Sequence, residues 1–217
     1  MVTESAEEYL EAICKLGEEG QPVALSALAK HLEISSVSAN EMVRKLVERE
    51  LVLYEPYKGV SLTPAGQAQA LAVIRRHRLW ERFLTDVLGL SWDQVHEEAC
   101  RLEHATSPLV EERLAQFLGQ PETCPHGHPM PTADGEMTVE AGCALAELAP
   151  GQKAVVLRVP EGDDALLRYL ATLGLKPQTT VQVEAAAPFQ GPLTVRVGEA
   201  QHVLGRELAS QIVVRPL

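Results

Sequence analysis

The spacing of apolar residues changes along the chain, and the changes mark out its elements. In residues 4–16, Leu10, Ile13, Cys14 and Leu16 fall toward one side and Glu4, Glu8 and Glu11 toward another, which predicts an amphipathic helix ended by Gly17 and Gly20. Ala24, Leu25, Leu28, Ala29 and Leu32 repeat at helical spacing, and after a turn over 33–35 so do Ala39, Met42, Val43, Leu46 and Val47. Two short helices joined by a tight turn outline a helix-turn-helix. The next stretch, LVLYEPYKGVSLT, holds two β-prone runs around Pro56, Lys58 and Gly59 and predicts a hairpin. Three helices and a hairpin make a winged helix over residues 1–63, whose third helix enters the DNA major groove while the hairpin reaches the backbone. Ser36, Asn40 and Arg44 share a polar face of that helix with Ser38 and Lys45 beside it, and Lys58 sits on the wing. Spacing alone does not separate a DNA-reading face from a solvated one.

Beyond Thr63-Pro64, an N-cap followed by proline, a long helix runs toward Leu88. Its stripe of Ala68, Leu71, Ala72, Leu79, Phe83 and Val87 is longer than a winged helix needs, which predicts a dimer seam. Gly89 stops it, Ser91 with Gln94 suggests a capping box for a helix starting at Trp92, and Thr106-Ser107-Pro108 opens one more, ending near Gly119. Residues 120–140 are rich in Pro, Gly and polar side chains and read as a linker. From 141 the pattern shifts to Val-rich runs (AVVLRV, TVQVE, LTVRV, QIVVR) with one helix over 164–173, a small β-barrel. The expected fold is thus mainly α with a β-rich C-terminal domain, in three parts: 1–63, a helical part over 64–140, and 141–217.

Charge complicates the DNA reading. The chain carries a formal charge of −11, and residues 1–60 hold six Lys and Arg against eleven Glu. DNA usually meets a basic surface, so contact here must be locally arranged or wait for something cationic. No apolar run of roughly 18 residues is present to span a bilayer, the N-terminus lacks the basic and apolar regions of a signal peptide, and four scattered cysteines do not form a disulfide framework. The expectation is a cytoplasmic protein with no membrane partner.

Candidate ligands cluster in HEEACRLEH, where His96, Cys100, Glu103 and His104 stand at i, i+4, i+7 and i+8 on one helical face. They lie about 100° round from Val95, Ala99 and Leu102, so they are expected beside the core and not in it. His77 and Glu81 (i, i+4) and Glu8 and Glu11 (i, i+3) repeat chelate spacing on two further helices. One such pair is ordinary surface decoration; three in a helical core point to a metal centre.

The run RRHRLWERFL…VHEEACRLEH, behind a winged helix and ahead of CPHGHPMP, resembles the diphtheria-toxin-repressor family of metal-dependent transcriptional repressors over essentially the whole chain. The C-terminal part resembles the SH3-like barrel shared with small iron-transport accessory proteins. The resemblance implies a homodimer on a palindromic double-stranded operator, with no small-molecule substrate. It implies a primary metal site at Glu8, Cys100, Glu103 and His104, joined by His77 and Glu11 in a manganese-type arrangement. It implies an ancillary site in one of two forms: His77, Glu81 and His96 with help from the barrel, or Glu81 with Cys124 and His126. Asp163 of PEGDD is the expected barrel ligand. Iron-sensing members carry methionine where this chain has Glu8 and a non-ligand where it has Glu11. Hard carboxylates in those places favour Mn²⁺, whereas Cys100 suits Fe²⁺ or Zn²⁺ better, which ranks Mn²⁺ first and Fe²⁺ second. The competing class is a metalloenzyme built on the same His/Cys/Glu cluster, and a third reading makes the barrel a binder of proline-rich segments. The first gives the winged helix no task, and the second needs an aromatic-lined groove that so few aromatic residues do not suggest.

Overall fold

The computed structural model describes residues 3–17 and 21–217, so Gly20 lies outside the described residues. They form two compact units. One comprises the chain up to His77 with Arg101–Ser107 and Pro131–Met137; the other comprises Arg78–Cys100, Pro108–Met130 and Thr138–Leu217.

The first unit holds the winged helix. Helices α1 (Glu4–Leu16), α2 (Leu25–His31) and α3 (Ser36–Glu48) bury Leu10, Ile13, Leu28, Ala39, Val43 and Leu46 in one core. The tight turn between α2 and α3 has Glu33 at φ 54°, and Ser35 caps α3 by accepting from the Ser38 amide at 3.0 Å. Strands β1 (Val52–Glu55) and β2 (Gly59–Leu62) form the antiparallel hairpin, with Tyr54 opposite Val60. Val23 bridges to Val60 so closely that a Cβ on Gly59 would stand 2.4 Å from its carbonyl oxygen. Thr63 then starts the long α4 (Pro64–Asp86), its hydroxyl accepting from the Gly66 amide at 3.1 Å and donating to the Glu50 carbonyl at 2.8 Å.

The second unit contains the barrel. Strands β3 (Cys143–Ala144), β4 (Lys153–Arg158), β5 (Thr180–Ala186), β6 (Leu193–Val197), β7 (Ala200–Leu204) and β8 (Val213–Pro216) pair antiparallel in the order β3-β8-β4-β5-β6-β7. Alternate residues such as Val181, Val183 and Val195 point into a core that Leu167 and Leu170 of a helix over Asp164–Thr172 also enter. A further helix, Arg206–Gln211, and strand β7 were not distinguished by the sequence pattern. The remaining α-helices among the described residues are α5 (Val95–Glu103) and α6 (Pro108–Phe117); in chain order the two barrel helices are α7 and α8.

Four expectations are corrected. Helix α5 begins at Val95 and not at Trp92, which lies in a turn with its ring in the barrel core. The Ser91 hydroxyl donates to the Gln94 side chain at 2.7 Å and caps no helix. Residues 120–130 are not a solvated linker: Cys124, His126 and Met130 are buried, and the backbone bonds from Cys124 to His128 and from Val159 to His126 replace water. Finally, the proposed seam is partly internal. Leu71 and Leu79 are buried, Leu79 with Leu114, Ala115 and Met130, while Val87 and Leu88 are exposed, as are Leu109, Val110 and Phe117 of α6.

Gly127 holds the packed segment against the barrel. It sits at φ +88°, and a Cβ there would stand 1.9 Å from the Leu157 carbonyl oxygen. Gly89 has a similar φ of +71° but nothing within 4 Å. Gly89→Ala should therefore cost about 1 kcal/mol for the left-handed backbone alone. Gly127→Ala should cost at least roughly 2–3 kcal/mol, because the clash adds to the strain. Urea unfolding of both variants checks the difference.

Candidate metal centres and nucleic-acid interface

On α3, Ser36, Ser38, Arg44 and Lys45 are exposed and Asn40 is half-buried, so the expected DNA-reading residues lie on the open side of the helix. Two are not wholly available. The Ser38 hydroxyl is 2.8 Å from that of Ser35 within the cap, and Lys58 is 2.6 Å from Glu55 on the wing, which holds its ammonium pKa above the ordinary value. Sequence reasoning missed Val37, an apolar side chain 69% exposed in the first turn of α3. Its only signal was that it falls outside the helix's buried stripe. Tyr57 at the wing tip, φ 68°, is fully exposed.

The first candidate centre lies within the first unit. Glu11, His77 and Glu103 are buried and can each offer one donor atom within 4.8 Å of the others. Glu103 is the pivot: one carboxylate oxygen is 2.6 Å from His77 Nδ1, the other 3.1 Å from His104 Nε2. The other nitrogen of His104 is 2.7 Å from Glu7, whose second oxygen is 3.1 Å from the Arg76 guanidinium. Glu4, Glu8 and His104 form an adjoining group within the same 4.8 Å limit. The expectation that the ligands of HEEACRLEH lie beside the core is corrected for Glu103, which is 1% exposed; its partner His77, at 4%, is buried with it. Their mutual hydrogen bond offsets the desolvation that would otherwise keep them at the surface.

The charges interact as such a cluster requires. Burial raises the Glu8 pKa; the His104 charge opposes this, while Glu4, Glu103 and Glu11 add to it. For His104, burial disfavours the cation, but the hydrogen bond to Glu7 and the charges of Glu103, Glu7 and Glu4 outweigh it, and the pKa is raised.

The second candidate centre lies in the second unit. Glu81, Cys124, His126 and Glu161 offer donor atoms within 4.8 Å of one another, and the first three are fully buried. His126 Nε2 donates to the Trp92 carbonyl at 2.8 Å and its ring stacks on the Trp92 indole, which turns Nδ1 toward Glu81 at 3.5 Å. The Cys124 thiol is 3.4 Å from Glu161. Burial, with the charges of Glu81 and Glu161, pushes that thiol well above its usual pKa. Burial opposes a charged His126, but Glu81 prevails and raises its pKa. His128 differs: burial dominates and lowers its pKa, while Nε2 donates to the Val159 carbonyl at 2.9 Å.

Asp163 is not part of this group. It caps α7, accepting from the Leu166 amide at 3.0 Å, and the barrel carboxylate at the cluster is Glu161, two residues earlier. A residue that begins a helix spends its carboxylate on the helix amides, a signal that was readable from PEGDD. Also on the second unit, Cys100 Sγ is 3.8 Å from His96 Nε2, and His96 Nδ1 is 3.9 Å from Glu81. Glu4 and Glu7 were missed as well, although Glu4 stands four residues before Glu8.

The donor sets fit divalent cations. The first offers carboxylate and imidazole, suited to Mn²⁺ or Fe²⁺; the second adds a thiol. His104 contributes stability to the metal-free protein that is fully present below about pH 6.5 and is lost as pH rises through its raised folded value. In chelator, the wild-type melting temperature should exceed that of His104→Gln most at about pH 6 and converge with it toward about pH 9. Calorimetry across that range checks the sign.

Comparison with known proteins matches three stretches of the chain. Residues 1–60 match an iron-dependent-repressor N-terminal DNA-binding domain, 63–132 an iron-dependent-repressor metal-binding and dimerisation domain, and 143–216 a FeoA domain. The chain is 35% identical over 225 residues to the iron-dependent repressor IdeR of Mycobacterium tuberculosis, covering 98% of this chain and 97% of that one. A solved manganese-dependent transcriptional repressor in complex with manganese superposes with a TM-score of 0.90 at 37% identity, covering 98% of this chain and all of that one. ScaR with bound Zn²⁺ superposes with a TM-score of 0.83 at 31% identity, covering 98% and 99%. The matched models and the matching length place this chain in the diphtheria-toxin-repressor family of metal-dependent, DNA-binding transcriptional repressors, which are regulators and not enzymes.

Proposed function

We propose that this protein senses Mn²⁺ first and Fe²⁺ second, and on loading binds a palindromic operator as a homodimer in the cytoplasm to repress genes for uptake of the same metal. The observation that carries the reading is the Glu11–His77–Glu103 and Glu4–Glu8–His104 groups, which draw ligand-type side chains from α1, α4 and the end of α5 into the same compact unit as the winged helix. Glu8 and Glu11, in place of softer or non-ligating side chains, favour Mn²⁺; the thiols of Cys100 and Cys124 keep Fe²⁺ second. Relatives point both ways, one described as iron-dependent and one as manganese-dependent.

A bound divalent cation supplies positive charge among carboxylates that otherwise repel one another. Without that charge, Glu4, Glu8, Glu11 and Glu103 repel one another, and α1 is held by its apolar face and by the contacts of Glu7 with His104 and Arg76. With it, the carboxylates of α1 converge on His77 of α4 and on Glu103 and His104. Helix α1 packs in the core that also carries α3, so its placement sets the recognition helix. Two cations per chain would add four positive charges to a protein of formal charge −11. Glu81, Cys124, His126 and Glu161 would hold the ancillary ion. The exposed Val87, Leu88, Leu109, Val110 and Phe117 supply an apolar surface for the dimer contact.

Fluorescence anisotropy against DNA from the chain's own upstream region and from metal-uptake promoters tests this. Binding should require Mn²⁺ or Fe²⁺, and chelator should abolish it. Glu8→Ala should keep its fold yet need at least about 100-fold more metal. Metal-responsive binding by Glu8→Ala equal to wild type, or equal weak binding in every condition, would sink the reading. Phe117→Glu should shift sedimentation toward monomer and weaken operator binding together.

A further inference from the structure

His104 has one ring nitrogen on each of two carboxylates. Nε2 is 3.1 Å from Glu103, which also bonds His77; Nδ1 is 2.7 Å from Glu7, which is tied at 3.1 Å to Arg76. The two carboxylates are not equivalent. Glu103 is 1% exposed and belongs to the buried ligand group, whereas Glu7 is half-buried and outside both groups of candidate ligands. Glu7 is instead committed to a fixed cation, because a guanidinium does not lose its proton. Its carboxylate is thereby fixed as an acceptor. An imidazole that gives one N–H to a fixed carboxylate is left with only the other nitrogen for a ligand bond.

We infer that Glu7, held by Arg76, is a positioning residue for metal sensing: it retains the proton on His104 Nδ1 and so presents Nε2, on the Glu103 side, as the ligand atom. The inference rests on the metal-gated reading above and adds an outer partner to its first centre. It also gives a task to a carboxylate and an arginine that the ligand set leaves aside. The array faces a cavity of about 450 Å³ lined by Glu4, Glu7, Arg76, Arg101 and His104 among others, so it is reachable from solvent. Arg76 and Arg101 line the same cavity, and Arg76 takes up Glu7 so that the carboxylate is not itself a free donor for an entering cation.

A carboxylate in this outer place raises the basicity of the imidazole and fixes its ring, effects worth about 10–100-fold in metal affinity. Losing the charge alone would weaken binding equally in Glu7→Gln and Glu7→Ala. A hydrogen-bond role separates them, because the glutamine carbonyl still accepts from Nδ1. The order expected for affinity is wild type, then Glu7→Gln, then Glu7→Ala, with the alanine variant down by about 10–100-fold and its metal-free melting temperature close to that of Glu7→Gln.

The test joins calorimetric titration of Mn²⁺ into the full chain and these variants to ¹⁵N spectra of His104 in the protein loaded with diamagnetic Zn²⁺. The expected result is a protonated Nδ1, a coordination shift on Nε2, and the graded affinities. Coordination through Nδ1, equal losses in the two variants, or unchanged affinity in both would overturn the assignment while leaving the metal-gated reading in place. A wild-type chain that takes up no metal would overturn both.

Discussion

Glu103 is a carboxylate placed where water does not reach, and it is kept there by two imidazoles. An uncompensated buried charge of this kind is strongly destabilising, typically by several kcal/mol. The histidines that share it come from different elements, His77 from α4 and His104 from the residue after α5. The local arrangement of those elements therefore follows from where one charge is able to be neutralised. Glu11 from α1 joins the same group, which brings the DNA-binding core under the same constraint. In the metal-free protein the raised pKa of His104 helps to satisfy it; under the proposed function a cation would do so instead, and proton and metal would compete for the same donor atoms.

The second centre solves the same problem with different chemistry. Its thiol is neutral when the site is empty of cations because burial and two carboxylates disfavour a thiolate. Ligation of a cation there would require Cys124 and His126 to release protons. That centre joins α4 and the packed 120–130 segment to the barrel through Glu161, so the barrel contributes a ligand-type side chain to the cluster, which an independent recruitment module would not need. The FeoA-type domain thus has its own core and a candidate donor, Glu161, at its edge.

Much of this was legible because periodicity reports burial. The four N-terminal helices and the wing follow apolar spacing that survives in the folded core, and the helical faces carrying Glu8, Glu11, Glu103 and His104 place ligand-type side chains in two adjoining groups. What escaped was set by contacts between segments distant in sequence. Trp92 looks like the first residue of a helix until the barrel core claims its ring. Residues 120–130 look like a linker because Pro and Gly are needed for the turns that bury Cys124 and His126. Asp163 and Glu161 are equivalent by composition, and only the capping of α7 separates them. Glu7 was passed over because a residue beside a ligand on a helix faces about 100° away from it, and its partner Arg76 is 69 positions further along.

The acidic balance of the chain has a kinetic side. A chain of formal charge −11 meets DNA without the long-range attraction that speeds most such encounters, and its wing lysine is already engaged by Glu55. Sliding on random sequence, which relies on that attraction, is correspondingly brief. Such a repressor spends little time trapped on the rest of the genome. Its occupancy of an operator is governed by how slowly the loaded dimer leaves, so removal of the ion acts directly on residence time.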